Sequence, residues 1–559
     1  MSAVRGVERA CSSTMSVTTS GLASLDDDTP ATYREAIESA DGSEWRSAMK
    51  KEFDACVAQS TWRLVPREQL PPKANVLPVK WVFKKKTDEN GVLTQFKARI
   101  TPKGFRQKQG IDYFEVFANT GKYKTLRVAL ALAAARGMQI NQLDVPSAFV
   151  RAALDEEVYM DMPEGFAEPG MVCHLMKSLY GLKQSPRNWK RLLTRFITRE
   201  MGWTATISDP CLFARVSRTG RLMLLFVFVD DMQGFYEDAD LDEWCESKKM
   251  LFDRFETKDL GPSKWMLGMR ITRNADATIK LDQELYVTKA LERYGFDECR
   301  TARTPAEVNK GAHDDDRDGG GRPTDLKLYQ EKIGVVLYAA ISTRPDIAYA
   351  VNSLARYCQA PLVRHMNGVD RVFRYLAGTK DVGLVFGREG RTELDGAVRL
   401  SAYSDADWAS DKSDRKSVTA WIARVNGDPV SWASKKQSSV AISTCESELY
   451  AECAAAQELQ WLRGLMKELG VKRRGECDEE SRAPTLYGDN QSAVATARNG
   501  VRSERTKHID IKHAFITDLI EKGRIHMKWV RTEEQQADIL TKALHAPQFL
   551  VLRRKIMTA

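Results

Sequence analysis

The sequence predicts a multidomain chain of the α/β and α+β classes, built as two mixed sheet-and-helix units joined by a polar stretch. Three observations carry that expectation. At 559 residues the chain exceeds what one hydrophobic core holds, so about two to four domains are expected. Helical spacing alternates with short apolar strands between residues 31 and 300, and again between 398 and 545. Between them, residues 309–323 contain Asp314-Asp-Asp316 and Gly319-Gly-Gly321, which offer nothing to pack and suit a flexible linker.

Composition narrows the class. With 43% hydrophobic residues and a mean hydropathy of −0.41, the chain is expected to be soluble and globular. No run approaches the roughly 18 apolar residues of a membrane span, and the N-terminus lacks a signal-peptide core. An intracellular protein, not secreted and without a membrane partner, is therefore expected. The ten cysteines are scattered without zinc spacing and read as reduced thiols. The net charge of +8 says little; its distribution says more.

Taken in order, residues 1–30 have few bulky apolar groups and are expected to be disordered. Ala36, Ala40, Trp45, Met49 and Phe53 give residues 33–57 a helical pattern, interrupted near Gly42-Ser43. Residues 81–100 read as a hairpin turning at Glu89-Asn-Gly91. The surrounding Lys80, Lys84, Lys85, Lys86, Lys97, Arg99, Lys103, Arg106 and Lys108 are interleaved with Trp81, Phe83, Phe96 and Phe105. Two readings stand, a polyanion surface and a solvated basic hairpin. A helix over 126–135 feeds a strand that ends at Asp144, with Pro146 stopping further pairing. Residues 186–201 form an apolar-and-basic helix, in keeping with a palm element or with any surface helix.

Leu222-Met-Leu-Leu-Phe-Val-Phe-Val-Asp-Asp-Met-Gln-Gly-Phe-Tyr236 reads as a buried hairpin with Asp230 and Asp231 at its turn. Asp is an ordinary turn residue. Two carboxylates forced together beside a buried strand also favour a bound divalent cation, and Asp144 is the candidate third ligand. A helix over 241–255 and a strand over 265–271 follow, then a helical stretch over 326–376. From Val398, strands over 399–404, 418–425 and 429–433 precede a helix running to Leu469 and a strand ending at Asp489.

Leu143-Asp-Val-Pro-Ser-Ala-Phe149, Ser178-Leu-Tyr-Gly-Leu-Lys-Gln-Ser-Pro-Arg187 and Phe228-Val-Asp-Asp231 resemble, in order and wording, the polymerase motifs of copia-type LTR retrotransposon Pol polyproteins. The resemblance extends through Trp62-Arg-Leu-Val-Pro66, Lys80-Trp-Val-Phe-Lys84, Phe96-Lys-Ala-Arg99, Lys258-Asp-Leu-Gly261 and Thr343-Arg-Pro-Asp346, nearly the whole chain. It implies a right-hand polymerase (fingers, palm and thumb) over 31–300, a linker over 301–324, a helical tether over 325–397, a ribonuclease H-like mixed-sheet domain over 398–545 and a C-terminal tail over 546–559.

What the resemblance implies for chemistry is specific. Asp144, Asp230 and Asp231 would be polymerase catalytic residues and metal ligands; Asp405, Glu448, Asp489 and Asp538 would be those of the nuclease. Asp407 and Glu446 compete with Asp405 and Glu448. Each site would take two Mg²⁺ or Mn²⁺ ions. Lys85 and Arg99 would hold the triphosphate, Phe149 would exclude a ribose 2′-hydroxyl unless it is only a core aromatic, and Tyr180 and Gly181 would line the nascent base pair. Lys97, Lys103, Lys183, Arg187 and His508 would contact nucleic acid, although His508 also suits a structural hydrogen bond.

The implied partners are an RNA template, a DNA primer and product, RNA–DNA hybrid and deoxynucleoside triphosphates. A dimer, or association with the integrase or capsid of the same element, and a location in cytoplasmic particles extending to the nucleus, are further expectations. The sequence departs from the family at Phe228, where Tyr is usual, at Asn119-Thr120, Arg151-Ala152 and His513-Ala514. No protease, integrase or capsid motif occurs, so a processed product, a separately encoded piece or a genomic remnant is expected. The rival function is an inactive remnant that only binds nucleic acid; a cellular DNA-copying polymerase is disfavoured by the nuclease-like half.

Overall fold

A computed structural model describes residues 29–87, 93–308, 321–388, 397–411, 413–473, 483–499 and 510–557. The expectations placed on residues 1–28, on the turn at 89–91, on most of the linker and on His508 lie outside the described residues.

The central sheet is antiparallel with six strands, in the order Lys258–Pro262, Gln139–Asp144, Asp231–Tyr236, Leu222–Phe228, Leu212–Val216 and Thr204–Ala205. Leu222 through Val227 are all buried, as an unbroken apolar strand requires when both faces are covered. One face carries helix Tyr123–Arg136, whose residues Thr125 through Ala135 are all buried. The other receives Trp189, Phe196 and Phe255 from helices Ser185–Arg199 and Leu241–Phe255. Val79–Thr87 and Leu93–Pro102 form the basic hairpin, which packs through Trp81, Phe83, Ala98 and Ile100 on helix Gly42–Ala58.

The second unit is a five-stranded mixed sheet in the order Asp428–Lys436, Val418–Val425, Leu400–Asp407, Thr485–Gly488 and His526–Trp529. Its first three strands are antiparallel and the last two join in parallel. Helix Thr444–Glu468 crosses it, burying Leu449, Cys453, Ala456, Leu459, Leu462 and Met466.

Several boundaries move. Residues 265–271 are not one strand but a tight hairpin, Trp265–Met266 with Met269–Arg273, because Leu267 and Gly268 take positive φ. The stretch 326–376 contains three helices, Leu326–Ser342, Ala348–Ala355 and Val363–Ala377. It is no free tether: Leu384–Phe386 pairs with Ile279–Asp282, so one sheet spans the expected boundary at 300. The flanks of the linker are pinned, by Ala302 N–H on Arg374 O at 3.1 Å and Thr324 N–H on Pro361 O at 3.2 Å. Nor is the C-terminus a tail, since helix Ala546–Ile556 buries Phe549, Leu552 and Ile556.

The two units are joined through buried contacts. Arg127 donates to Val430 O at 2.7 Å, Ile341 O at 3.0 Å and Ser342 O at 2.7 Å, and its guanidinium lies 3.9 Å from the Trp432 ring centre. Lys124 pairs with Glu458 at 2.9 Å.

Candidate active sites

Strand pairing assembles the first site. Asp231 stands opposite Asp144 in the sheet, and Phe228 pairs with Asp231, leaving Val229 and Asp230 as a two-residue turn. Val229 has φ of 58°, a left-handed conformation that a β-branched residue adopts only when its surroundings impose it. They do so from both sides: Trp189 Nε1 donates to Val229 O at 2.7 Å, and Val145 N–H donates to Asp230 O at 3.0 Å. The turn thus holds Asp230 beside the other two acids.

Burial pushes the Asp231 carboxyl up to about 7, with Asp230 and Asp144 adding repulsion and Lys86 opposing it. Burial, then Asp230, also raises Asp144, against Lys86, Lys97 and Lys258. Such a cluster binds a cation by relieving its own repulsion. Tyr180 donates to Asp230 Oδ2 at 3.1 Å, Phe149 meets the Tyr180 ring edge-on at 4.5 Å, and the Arg99 guanidinium lies 4.3 Å from its centre. Phe149 is therefore both a core aromatic and a wall of the site. Gly181 has φ of 103°, and a Cβ there would meet Pro102 O at 2.5 Å; its role is to let the hairpin base approach.

One assignment changes. Lys85 pairs across the hairpin with Phe96, beside Phe83 on the face packed against the helix, and forms an ion pair with Asp41 at 2.8 Å. Alternation puts Lys84, Lys86, Lys97 and Arg99 on the opposite face. Lys86 acts on both Asp144 and Asp231, and Lys97 on Asp144. Lys97 is pulled down to about 8 by burial and by Arg99 and Lys86. Lys183 donates to Tyr113 Oη at 3.1 Å and Arg187 pairs with Glu115 at 3.0 Å, so both are engaged within the protein; Lys103 is half-buried at the hairpin base. Glu52, beside Lys97 and Arg99 in the same cleft, carried no sequence signal beyond its place on a helix.

In the second site, carboxylate oxygens of Asp405, Asp489 and Asp538 lie within 4.8 Å of one another. Leu400–Asp407 and Thr485–Gly488 are parallel neighbours, which brings Asp405 beside Asp489; Asp538 opens helix Asp538–Thr541. Burial, then Asp405 and Asp489, holds Glu448 well above the usual carboxylate range. Asp538 Oδ2 is buried without a hydrogen-bond partner, and burial and Asp405 push its carboxyl up to about 8. This donor set of hard oxygens fits a divalent ion.

The competitors separate on geometry. Glu446 caps its own helix, accepting from Ile442 N–H at 2.7 Å and Tyr450 Oη at 2.8 Å. Asp407 lies one pleat beyond Asp405 and bonds Ser410. Lys542, whose Nζ is 2.9 Å from Asp538 Oδ1 and 3.9 Å from Asp405 Oδ2, was missed; its spacing of four from Asp538 on a helix was the available signal. His513 is structural, with Nε2 2.9 Å from Thr496 O. Arg151 pairs with Glu256 at 2.7 Å.

Residues 59–308 match the family described as reverse transcriptase (RNA-dependent DNA polymerase). The chain is 35% identical over 532 residues to the retrovirus-related Pol polyprotein from transposon TNT 1-94 of Nicotiana tabacum, covering 94% of this chain and 38% of that protein. Over 94% of its length the chain is thus similar to a transposon Pol polyprotein, and residues 59–308 match the reverse transcriptase family. It is similarly 35% identical to the Pol polyprotein from transposon RE2 of Arabidopsis thaliana, covering 94% of this chain and 34% of that one. The chain spans roughly a third of the length of those relatives. The foamy viral protease-reverse transcriptase in complex with dsDNA aligns with a TM-score of 0.46 and 12% identity, covering 88% of this chain and 83% of that chain. The matched reverse transcriptase region holds the six-stranded antiparallel sheet, and the five-stranded mixed sheet follows it in the chain.

Proposed function

We propose that this chain is an RNA-directed DNA polymerase that also cleaves the RNA of RNA–DNA hybrids. The observation that carries the reading is the convergence of Asp144, Asp230 and Asp231 at the ends of two interior strands of the central sheet, in a chain that also clusters Asp405, Glu448, Asp489 and Asp538. Asp144, Asp230 and Asp231 would hold Mg²⁺ or Mn²⁺, two per site, as would the second set; bound there, such ions stabilise charge on attacking and leaving oxygens.

The protein's own groups do the rest. Lys86, Lys97 and Arg99 face the acids from the hairpin and neutralise the triphosphate of the incoming deoxynucleotide. Tyr180 orients Asp230 through its hydroxyl, and the buried ring of Phe149 presses on Tyr180, closing the side where a ribose 2′-hydroxyl would sit. The primer 3′-hydroxyl then displaces pyrophosphate. In the nuclease site, Thr541 donates to Asp405 and Thr532 to Asp489, fixing the carboxylates, while Lys542 screens their repulsion. RNA template, DNA primer and hybrid are the partners this chemistry requires. Association with the integrase or capsid of the same element, and a place in cytoplasmic particles and the nucleus, belong to the same reading.

The test is deoxynucleotide incorporation on a primed RNA template with Mg²⁺. Incorporation that chelation and Asp230→Asn each abolish supports the reading; hybrid binding without incorporation or cleavage favours the inactive remnant instead.

A further inference from the structure

The segment between the basic hairpin and helix Tyr123–Arg136 presents a surface that neither acid cluster uses. Phe105, Phe114 and Phe117 are 73%, 63% and 79% exposed, and Ile111 and Val116 of the same segment are exposed as well. Side chains of this size normally bury, and several on one short segment mark an interaction surface.

The backbone between Phe105 and Phe114 is held by side-chain hydrogen bonds. Gln107 donates to Gln184 Oε1 at 2.9 Å and accepts from Lys183 N–H at 2.8 Å. Gln184 in turn donates to Asp112 O at 2.8 Å, and Asp112 Oδ2 accepts from Lys108 N–H at 2.6 Å and Asn75 Nδ2 at 2.7 Å. The stretch from Gln107 to Asp112, between Phe105 and Phe114, is therefore tied to its neighbours. The segment is anchored at both ends to the frame of the polymerase site. Gly104 packs against Gly181 O, next to Tyr180, and Gly121 packs against Phe226 and Val227 O, at the end of the strand that leads to Asp230.

Charge selects the occupant. Lys103, Arg106 and Lys108 flank Phe105 at the start of the segment, and the Arg106 guanidinium lies 5.9 Å from the Phe105 ring centre. The segment's two acids are engaged internally, Asp112 as above and Glu115 with Arg187. Cations at one end of a run of exposed rings suit a strand that offers phosphates and unpaired base faces; a duplex hides those faces in its stack. We infer that Phe105, Phe114 and Phe117 form a stacking platform for unpaired template bases entering the polymerase site.

This inference rests on the polymerase reading, but its test needs no turnover. The full chain is titrated with three fluorescent primer–templates: a blunt duplex, the same duplex with a short single-stranded template extension, and one whose extension is abasic. The wild type binds the base-bearing extension more tightly than the abasic one. The double substitution Phe105→Ala with Phe117→Ala weakens binding to the base-bearing extension about tenfold, leaves the other two affinities unchanged, and is restored by Phe→Trp at both positions. A double variant that keeps the preference, or that loses blunt duplex equally, overturns the platform. So does a variant whose self-association changes in light scattering while its template affinity does not, since the rings would then be a contact between copies. A wild type that prefers the base-bearing extension yet incorporates nothing refutes the polymerase reading and leaves the platform standing.

Discussion

Lys86→Ala should weaken deoxynucleotide binding about ten- to hundredfold, whereas Lys85→Ala should leave it unchanged. The two residues are neighbours in sequence and lie on opposite faces of one strand. Lys85 pairs with Asp41 at 2.8 Å, with side chains 16% and 39% exposed, an arrangement worth at most about 1 kcal/mol of stability. Lys86 pulls the Asp144 and Asp231 carboxyls toward ionisation, so its charge reaches the reacting centre. A charge-assisted contact to phosphate contributes roughly 1.5–3 kcal/mol, and each 1.4 kcal/mol is about a tenfold change in affinity. Steady-state incorporation over a range of deoxynucleotide concentrations reads the effect in KM, and thermal unfolding reads the small cost of Lys85→Ala. A raised KM for Lys85→Ala with an unchanged one for Lys86→Ala would refute the register argument.

Two further expectations concern stability. Arg344 is buried and makes a bidentate pair with Asp346 at 2.9 and 2.8 Å, while also donating to Thr379 O at 2.7 Å; Arg344→Met leaves Asp346 buried with only the Tyr375 hydroxyl at 2.6 Å. A loss of about 3–5 kcal/mol in denaturant unfolding is expected, and an unchanged midpoint would sink the claim. Glu452 is fully buried, neither carboxyl oxygen has a hydrogen-bond partner, and burial pushes it from 4.5 up to about 8, with Asp489 adding repulsion. Its folded state binds the proton more tightly than the unfolded one, so its contribution is complete below about 4.5 and is lost as pH rises through about 8. The Tm of the wild type should therefore fall more steeply with rising pH than that of Glu452→Gln; parallel curves would contradict it.

Much of this was legible in the sequence because it is local. The apolar run 222–228 and its acidic turn fix a hairpin without reference to anything distant, and the spacing of Leu449, Cys453, Ala456 and Leu459 fixes a helix face. Non-local facts were not legible. Which face of the basic hairpin meets the acids depends on what Trp81 and Phe83 pack against, so Lys85 and Lys86 could not be told apart from spacing alone. The pairing of Leu384–Phe386 with Ile279–Asp282 joins segments a hundred residues apart in order of magnitude. Phe549, Leu552 and Ile556 carry helical spacing, but a short amphipathic segment becomes a stable helix only against a partner, here including the Tyr375 ring at 5.6 Å from Phe549. Glu448 is preferred over Glu446 in the sequence only by resemblance, and the cap at Ser443 supplies the physical reason.

The central claim is that one chain carries two independent acid sites with separate chemistry. Incorporation on a primed RNA template and cleavage of a labelled RNA–DNA hybrid, measured side by side for the wild type, Asp230→Asn and Asp489→Asn, test it most directly. The account predicts that Asp230→Asn abolishes incorporation and spares cleavage, and that Asp489→Asn does the reverse; loss of both activities in either variant, or of neither, would contradict it.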